Sequence, residues 1–267
     1  MLTTRFVTGS PNWIDLGTPD LDRAAAFYGG LFGWTLLPGG PEVGGYGMFQ
    51  LGGRTTAGAM KVGPDQAPPA WTVYIQTPDA DTAAGAVAKG GGRVTLPPMD
   101  VLDFGRMALF ADPAGAGFGV WQPKQNKGLE VVSDAGSFAW AELYTTEHAD
   151  EAIAFYESVF GWEKYQVPFP GGTYSMVGPE GGGETAAFGG VVPVSSDPAE
   201  TGSGPYWLPY FEVADCDATV AKAEELGGKT RMAPVQMEGV GRFAKLADPF
   251  GARFAVIKSV YPEGTKD

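Results

Sequence analysis

WIDLGTPDLDRAAAFYGGLFGW (Trp13–Trp34) returns later in the chain as WAELYTTEHADEAIAFYESVFGW (Trp140–Trp162). Each copy runs Trp, any residue, an acid and Leu, then Thr and a polar stretch. A Phe-Tyr pair follows (Phe27-Tyr28, Phe155-Tyr156), and both copies close on Phe-Gly-Trp. A repeat of this length marks a duplicated strand–helix–strand unit. Residues 11–17 alternate as a strand does, with Trp13 and Asp15 on one face and Ile14 and Leu16 on the other. Asp20, after Pro19, suits a helix N-cap. Ala24, Phe27, Tyr28 and Leu31 then share one helical face, which Gly29, Gly30 and Gly33 bring to an end.

Outward from this stretch the pattern multiplies. TLL, YGMFQL and AGAMKV are short apolar runs broken by glycine, as in a meander of strands, so the first unit reads β-α-β-β-β and ends near Val62. After the joint GPDQAPPA (63–70), WTVYIQTPDADTAAGAVAKGGGRV (71–94) begins the same order again, with Asp79 as cap. Strands are expected around 94–97, 106–111 and 118–122. The second half repeats the series, with Tyr174 and Met176 echoing Tyr46 and Met48. SSDPAETGSGP (195–205) replaces the first joint and, by its composition, is expected to be mobile. GRMALFADPAGAGFGV (105–120) aligns without gaps to GRFAKLADPFGARFAV (241–256). The reading is an α+β chain of four βαβββ modules. They form a first domain over 1–123, a polar linker over 124–137 and a second domain over 138–267.

Composition narrows the partners. The 267 residues are 44% hydrophobic, enough for one or two compact cores, and 41 Gly and 22 Pro are spread as punctuation between apolar runs. A net charge of −13 speaks against nucleic acid, which requires a basic stripe. Neither a basic amphipathic helix nor a membrane-length apolar run occurs, and MLTTRFVTGSPNW (1–13) has no signal-type apolar core. A cytoplasmic protein without membrane contact is expected. The single cysteine, Cys216, excludes an internal disulfide and is expected in a surface first turn. Beside a helix N-terminus its thiol pKa could be depressed.

Four such modules, the Phe-Tyr helices with Phe-Gly-Trp, and Asp-Pro-x-Gly before the last strand of each half resemble the vicinal oxygen chelate superfamily. That superfamily includes glyoxalase I, extradiol dioxygenases and the bleomycin- and fosfomycin-resistance proteins. The resemblance covers about residues 11–258 and is strongest to two-domain glyoxalase-like proteins of actinobacterial type, some of them labelled hydroxylases in antibiotic gene clusters. It implies curled mixed sheets with outer helices around a cleft. In metal-using members it further implies His or Gln on first strands and Glu on last strands around a divalent ion. Here the first-strand positions hold Trp13 and Trp140, and the last-strand positions hold Gly119 and Ala255. The lone histidine, His148, falls at a helix entry. The resemblance thus points to a chain without metal or other cofactor.

In place of ligands, Trp13 and Trp140 stand beside Asp15 and Glu142 on the same strand face. Trp71, Tyr74, Trp207, Tyr210, Trp121 and Phe104 are further aromatics assigned to the cleft as ligand-binding residues. A flat aromatic molecule stacked among such rings, with an acid accepting its hydroxyl or amine, follows from that set. A structural alternative pairs the two acids with Arg106 and Arg242. Functionally, a metal-free binding or sequestration protein, of the antibiotic-resistance kind, leads. A metal-independent isomerase, cyclase or hydroxylase accessory with Asp15 or Glu142 as general base is the alternative. A metal-dependent lyase or dioxygenase with ligands in unfamiliar positions comes last. The expected partner is a small aromatic ligand, and the assembly is a monomer or homodimer.

Overall fold

The computed structural model describes residues 2–146, 148–169 and 172–260. The first half runs β1 (Pro11–Thr18), α1 (Leu21–Phe32), β2 (Thr35–Leu37), β3 (Gly47–Leu51), β4 (Arg54–Lys61) and β5 (Ala70–Gln76). It continues with α2 (Ala80–Lys89), β6 (Arg93–Val101), β7 (Gly105–Ala111) and β8 (Gly117–Pro123). The second half runs β9 (Phe138–Thr145), α3 (Ala149–Phe160), β10 (Glu163–Phe169), β11 (Gly172–Gly178), β12 (Gly189–Pro193) and β13 (Tyr206–Glu212). It ends with α4 (Cys216–Glu225), β14 (Lys229–Met237), β15 (Gly241–Ala247) and β16 (Arg253–Ser259). Each half is one eight-stranded mixed sheet, ordered β2-β3-β4-β1-β5-β8-β7-β6 and β10-β11-β12-β9-β13-β16-β15-β14. The four expected modules are therefore present in their expected order, two per sheet. No described helix is long and apolar enough to cross a membrane.

Local chemistry sets the boundaries. Asp20 accepts the Arg23 amide at 3.0 Å, and Asp79 and Asp215 cap α2 and α4 in the same way. His148 stands at the N-cap of α3, exposed, and its side chain makes no capping bond. Gly33 and Gly161 end α1 and α3 at φ 75° and 72°, a left-handed turn that a Cβ disfavours. That requirement accounts for the glycine in both Phe-Gly-Trp closures.

The helical faces of the two sheets meet, and one core spans both halves. Tyr28 donates to Asp248 at 3.3 Å and accepts the Trp71 indole N–H at 3.1 Å. Tyr156 donates to Asp112 at 3.2 Å and accepts from Trp207 at 3.1 Å. Trp162 crosses between halves to the carbonyl of Gly9, and Trp34 bonds the linker carbonyl of Gly136, both at 2.7 Å. Trp71 and Trp207, assigned from sequence to the cleft, thus lie in this core. Each strand has two faces, and the opposite half covers the one that carries these indoles. Asp112 and Asp248 are the turn residues expected of Asp-Pro, yet each also receives a phenol from the other half.

Residues 124–137, read as the linker, bond both sheets: the Leu129 amide bonds Asn12, the Glu130 amide bonds Thr55 and the Gly136 amide bonds Glu212. The segment after β12, expected to be mobile, folds as two short 3-10 turns (Val194–Ser196 and Pro198–Glu200) whose acids find cations on the second sheet. Cys216 is buried instead of superficial, and desolvation pushes its thiol up to about 11, away from reactivity.

Candidate functional site

The helix-free face of each sheet carries a central carboxylate tied to tyrosines. In the first half Asp15 lies between Gly58 of β4 and Thr72 of β5, and its neighbour Trp13 pairs with Tyr74. Asp15 Oδ2 accepts the Tyr74 phenol at 2.9 Å and the Tyr46 phenol at 3.1 Å, while Trp13 Nε1 donates to Tyr46 at 2.8 Å. Glycines make the room. A Cβ at Gly58 would overlap the Tyr46 hydroxyl, and one at Gly119 would overlap the Tyr74 ring. Trp121 lies in near-parallel contact with Trp13, ring centroids 6.5 Å apart. Met48, Thr72, Met107 and Leu109 are partly exposed nearby, and Met60 is 43% exposed.

Asp15 is only 4% exposed, and its burial pushes the carboxyl up to about 6, against the opposing pull of the Tyr74, Tyr46 and Thr72 hydrogen bonds. No salt bridge reaches it among the described residues. The sign of the linkage follows. The folded chain holds this proton more tightly than the unfolded one, so Asp15 favours folding at low pH, and that contribution fades as pH rises through about 6. Relative to Asp15→Asn, the wild type is expected to lose about 3 kcal/mol of stability between acid pH and pH 8. Urea unfolding of both proteins across that range measures it; a gap that does not change with pH refutes it.

The second half keeps the motif and then fills it. Glu142 accepts Tyr210 at 2.7 Å, Tyr174 at 3.0 Å and Tyr144 at 3.0 Å, and Trp140 donates to Tyr174 at 3.2 Å. Gly190 clears space for Tyr174 as Gly58 does for Tyr46. Lys245, 2% exposed, donates to both Tyr144 and Asp197, and its ammonium sits 4.5 Å from the Tyr144 ring centroid. Glu200, fully buried, takes Arg231 at 2.8 and 3.1 Å and Arg253 at 3.3 Å. Arg253 in turn lies over Tyr206. The 194–203 segment therefore closes this face through its own acids.

Trp13, Asp15, Tyr74 and Trp121 come together in the first half, and Trp140, Glu142 and Tyr210 in the second. Phe104 lies apart, exposed in the β6–β7 turn, with its carbonyl accepting the Lys124 and Asn126 amides. The alternative pairing of the two acids with arginine is not formed. Arg106 bonds Asp81 and Asp100, and Arg242 bonds Asp217. Tyr46, Tyr144, Tyr174, Lys245, Asp197 and Glu200 were not anticipated as site residues. The Tyr46–Tyr174 echo and a lysine within an apolar strand were the available signals. Two surface hollows, one beside Cys216 and Arg242 and one between residues 2–10 and 179–188, have neither carboxylate in their linings.

The signature of the Glyoxalase/Bleomycin resistance protein/Dioxygenase superfamily matches residues 10–120 and 137–256, one match on each sheet. The chain belongs to this superfamily. CFP32 of Mycobacterium tuberculosis is 39% identical over 262 residues, covering 96% of this chain and 97% of that protein. The anthracycline biosynthesis protein DnrV of Streptomyces peucetius is 40% identical over 274 residues, 96% of this chain and 95% of its own. Among solved structures, the Mn(II)-bound glyoxalase of Novosphingobium aromaticivorans aligns with a TM-score of 0.64 at 13% identity, over 95% of this chain and 83% of that one. That similarity speaks to fold alone.

The Novosphingobium aromaticivorans glyoxalase holds Mn(II). The described residues do not fit it. Gly119 and Ala255 pair with Tyr74 and Tyr210 at the last-strand positions, and indoles hold the first-strand ones. Among the described residues no group of three or more His, Cys, Asp or Glu could hold an ion. What the open face of the superfamily fold does offer is a carboxylate, phenols, indoles and thioethers.

Proposed function

We propose that this chain binds a hydroxylated aromatic small molecule on the open face of its first sheet, without a metal. The observation that carries the reading is the Trp13–Tyr46–Asp15–Tyr74 chain of hydrogen bonds beneath partly exposed Met48, Met60, Thr72 and Leu109. Such a floor gives a flat ring a thioether and aliphatic surface to pack on, with the buried Trp13 and Tyr74 rings beneath it. Methionine side chains adapt to irregular shapes, and sulfur–aromatic contacts contribute about 0.3–1.5 kcal/mol each. The names of two relatives, in anthracycline biosynthesis, support an aromatic natural product as the ligand.

A second reading is favoured by one feature. Asp15, whose carboxyl is pushed up to about 6, is matched to general-base chemistry near neutral pH. In that reading it removes a proton from an acidic carbon or hydroxyl of the bound molecule. The rate would rise with pH through about 6 and then level.

Tryptophan fluorescence titrated with 1,4-dihydroxyanthraquinone tests the first reading. Quenching with a Kd of about 1–10 μM is expected, and absence of saturable quenching below about 1 mM rejects it. Solvent deuterium exchange into the bound ligand, followed by NMR, tests the second. No exchange above the rate in buffer leaves Asp15 as a binding group alone.

A further inference from the structure

We propose that the ligand of the first half carries a protonated amine, and that one such ligand binds per chain because the second half supplies its own ammonium. The inference rests on the reading that the first open face is a small-molecule site, and it names the chemistry that site selects.

The two halves differ in a systematic way. Leu109 and Lys245 occupy the same register position, each facing the last strand beside Tyr74 or Tyr210 through Gly119 or Ala255. In the second half Lys245 reaches Tyr144, whose phenol also lies on Glu142, so an ammonium is linked to the central carboxylate through one hydroxyl. The first half has Gly17 where the second has Tyr144, Ala70 where it has Tyr206, and Gly117 where it has Arg253. Two cations and the two rings they cover are thereby replaced with Leu109, Gly117, Gly17 and Ala70.

The central acid is nevertheless kept. Asp15 is buried beside Trp13, Tyr46 and Tyr74, its register partners on β4 and β5 are Gly58 and Thr72, and the positions beyond Tyr74 on β8 and β7 are Gly119 and Leu109, none of them charged. Burying a carboxylate without a counter-charge is costly, and its cost is removed when a cation arrives. Indole and phenol faces beside it attract the same cation. A net charge of −13 adds a long-range field that draws cations and repels anions. Gly17, Ala70 and Gly117 put no side chain where the second half holds Tyr144, Tyr206 and Arg253, so the amine is expected to approach over these positions, beside Val62.

A matched pair of probes decides it: 1-pyrenemethylamine, cationic at pH 7.5, and the neutral 1-pyrenemethanol. Their binding to the full chain is measured by pyrene fluorescence anisotropy and isothermal titration calorimetry. The amine is expected to bind at least about tenfold tighter, at one equivalent per chain. The preference should collapse at pH 5, where Asp15 is protonated, and also in Asp15→Asn. Leu109→Lys, which gives the first half the ammonium that the second already has, should abolish it too. Equal affinities at pH 7.5 overturn the amine inference while leaving the binding site standing. A preference that survives both substitutions, or two equivalents per chain, overturns it as well. Failure of both probes to bind removes the site reading itself, and the inference with it.

Discussion

Glu200→Ala is expected to destabilise the protein by about 3–5 kcal/mol, the cost of removing one partner from a buried ion cluster. Glu200 is wholly buried, takes both Arg231 nitrogens, one from Arg253 and the Ser203 hydroxyl, and lies 3.9 Å from Lys245. Alanine leaves three cations facing a void, with only Asp197 to offset Lys245. Two readouts check the expectation. Urea unfolding gives the energy, and hydrogen exchange at residues 194–203 reports whether the segment leaves the sheet. A loss under about 1 kcal/mol with full protection retained would mean that the cluster contributes little and that packing around Val194 holds the segment. Exposed pairs such as Arg54–Asp134 are expected to contribute well under that amount, because both partners are about half exposed.

Trp162→Ala carries an equal or larger penalty, about 3–5 kcal/mol. The indole stacks on Tyr156 at 4.6 Å and 9°, meets Phe188 and Trp207 edge-on, and donates across the molecule to the Gly9 carbonyl. Truncation removes ring contacts, opens a cavity and leaves a buried carbonyl unpaired. Trp162→Phe keeps much of the stacking and should cost less than half as much. The same pair of substitutions at Trp34, which bonds Gly136 of the linker, should give matching values if the pseudo-symmetric core behaves as one unit. Guanidinium unfolding followed by near-ultraviolet circular dichroism measures both. A Trp34 penalty far below that of Trp162 would show that the halves unfold separately.

Most of the framework was legible because it rests on short-range rules. The Trp13–Trp34 repeat announces the duplication. Asp20, Asp79 and Asp215 announce helix starts, and Phe-Gly-Trp announces a left-handed stop. The two-residue strand period put Asp15 beside Trp13 and Glu142 beside Trp140, and in each half the acid and the indole share one phenol, Tyr46 or Tyr174. Tyr74 and Tyr210 were readable from the same alternation. Tyr46 was not, since it precedes β3 in an irregular stretch and reaches Asp15 only through the gap at Gly58.

Alternation along a strand says which side chains share a face, but not which face another domain will cover. Trp71 and Tyr74 share β5 and differ in their partners: Trp71 meets Tyr28 in the shared core, while Tyr74 turns to Asp15. SSDPAETGSGP likewise reads as a loose loop, because its anchors Arg231, Lys245 and Arg253 come from strands 31 to 53 residues away. The amino-acid sequence by itself determined the four modules, their caps and the place of the two acids, all consequences of contacts within a few residues. Tertiary structure alone decided which indoles are core, which face stays open and which is sealed by its own chain. Those outcomes depend on long-range pairing of charges and surfaces, which no local spacing encodes.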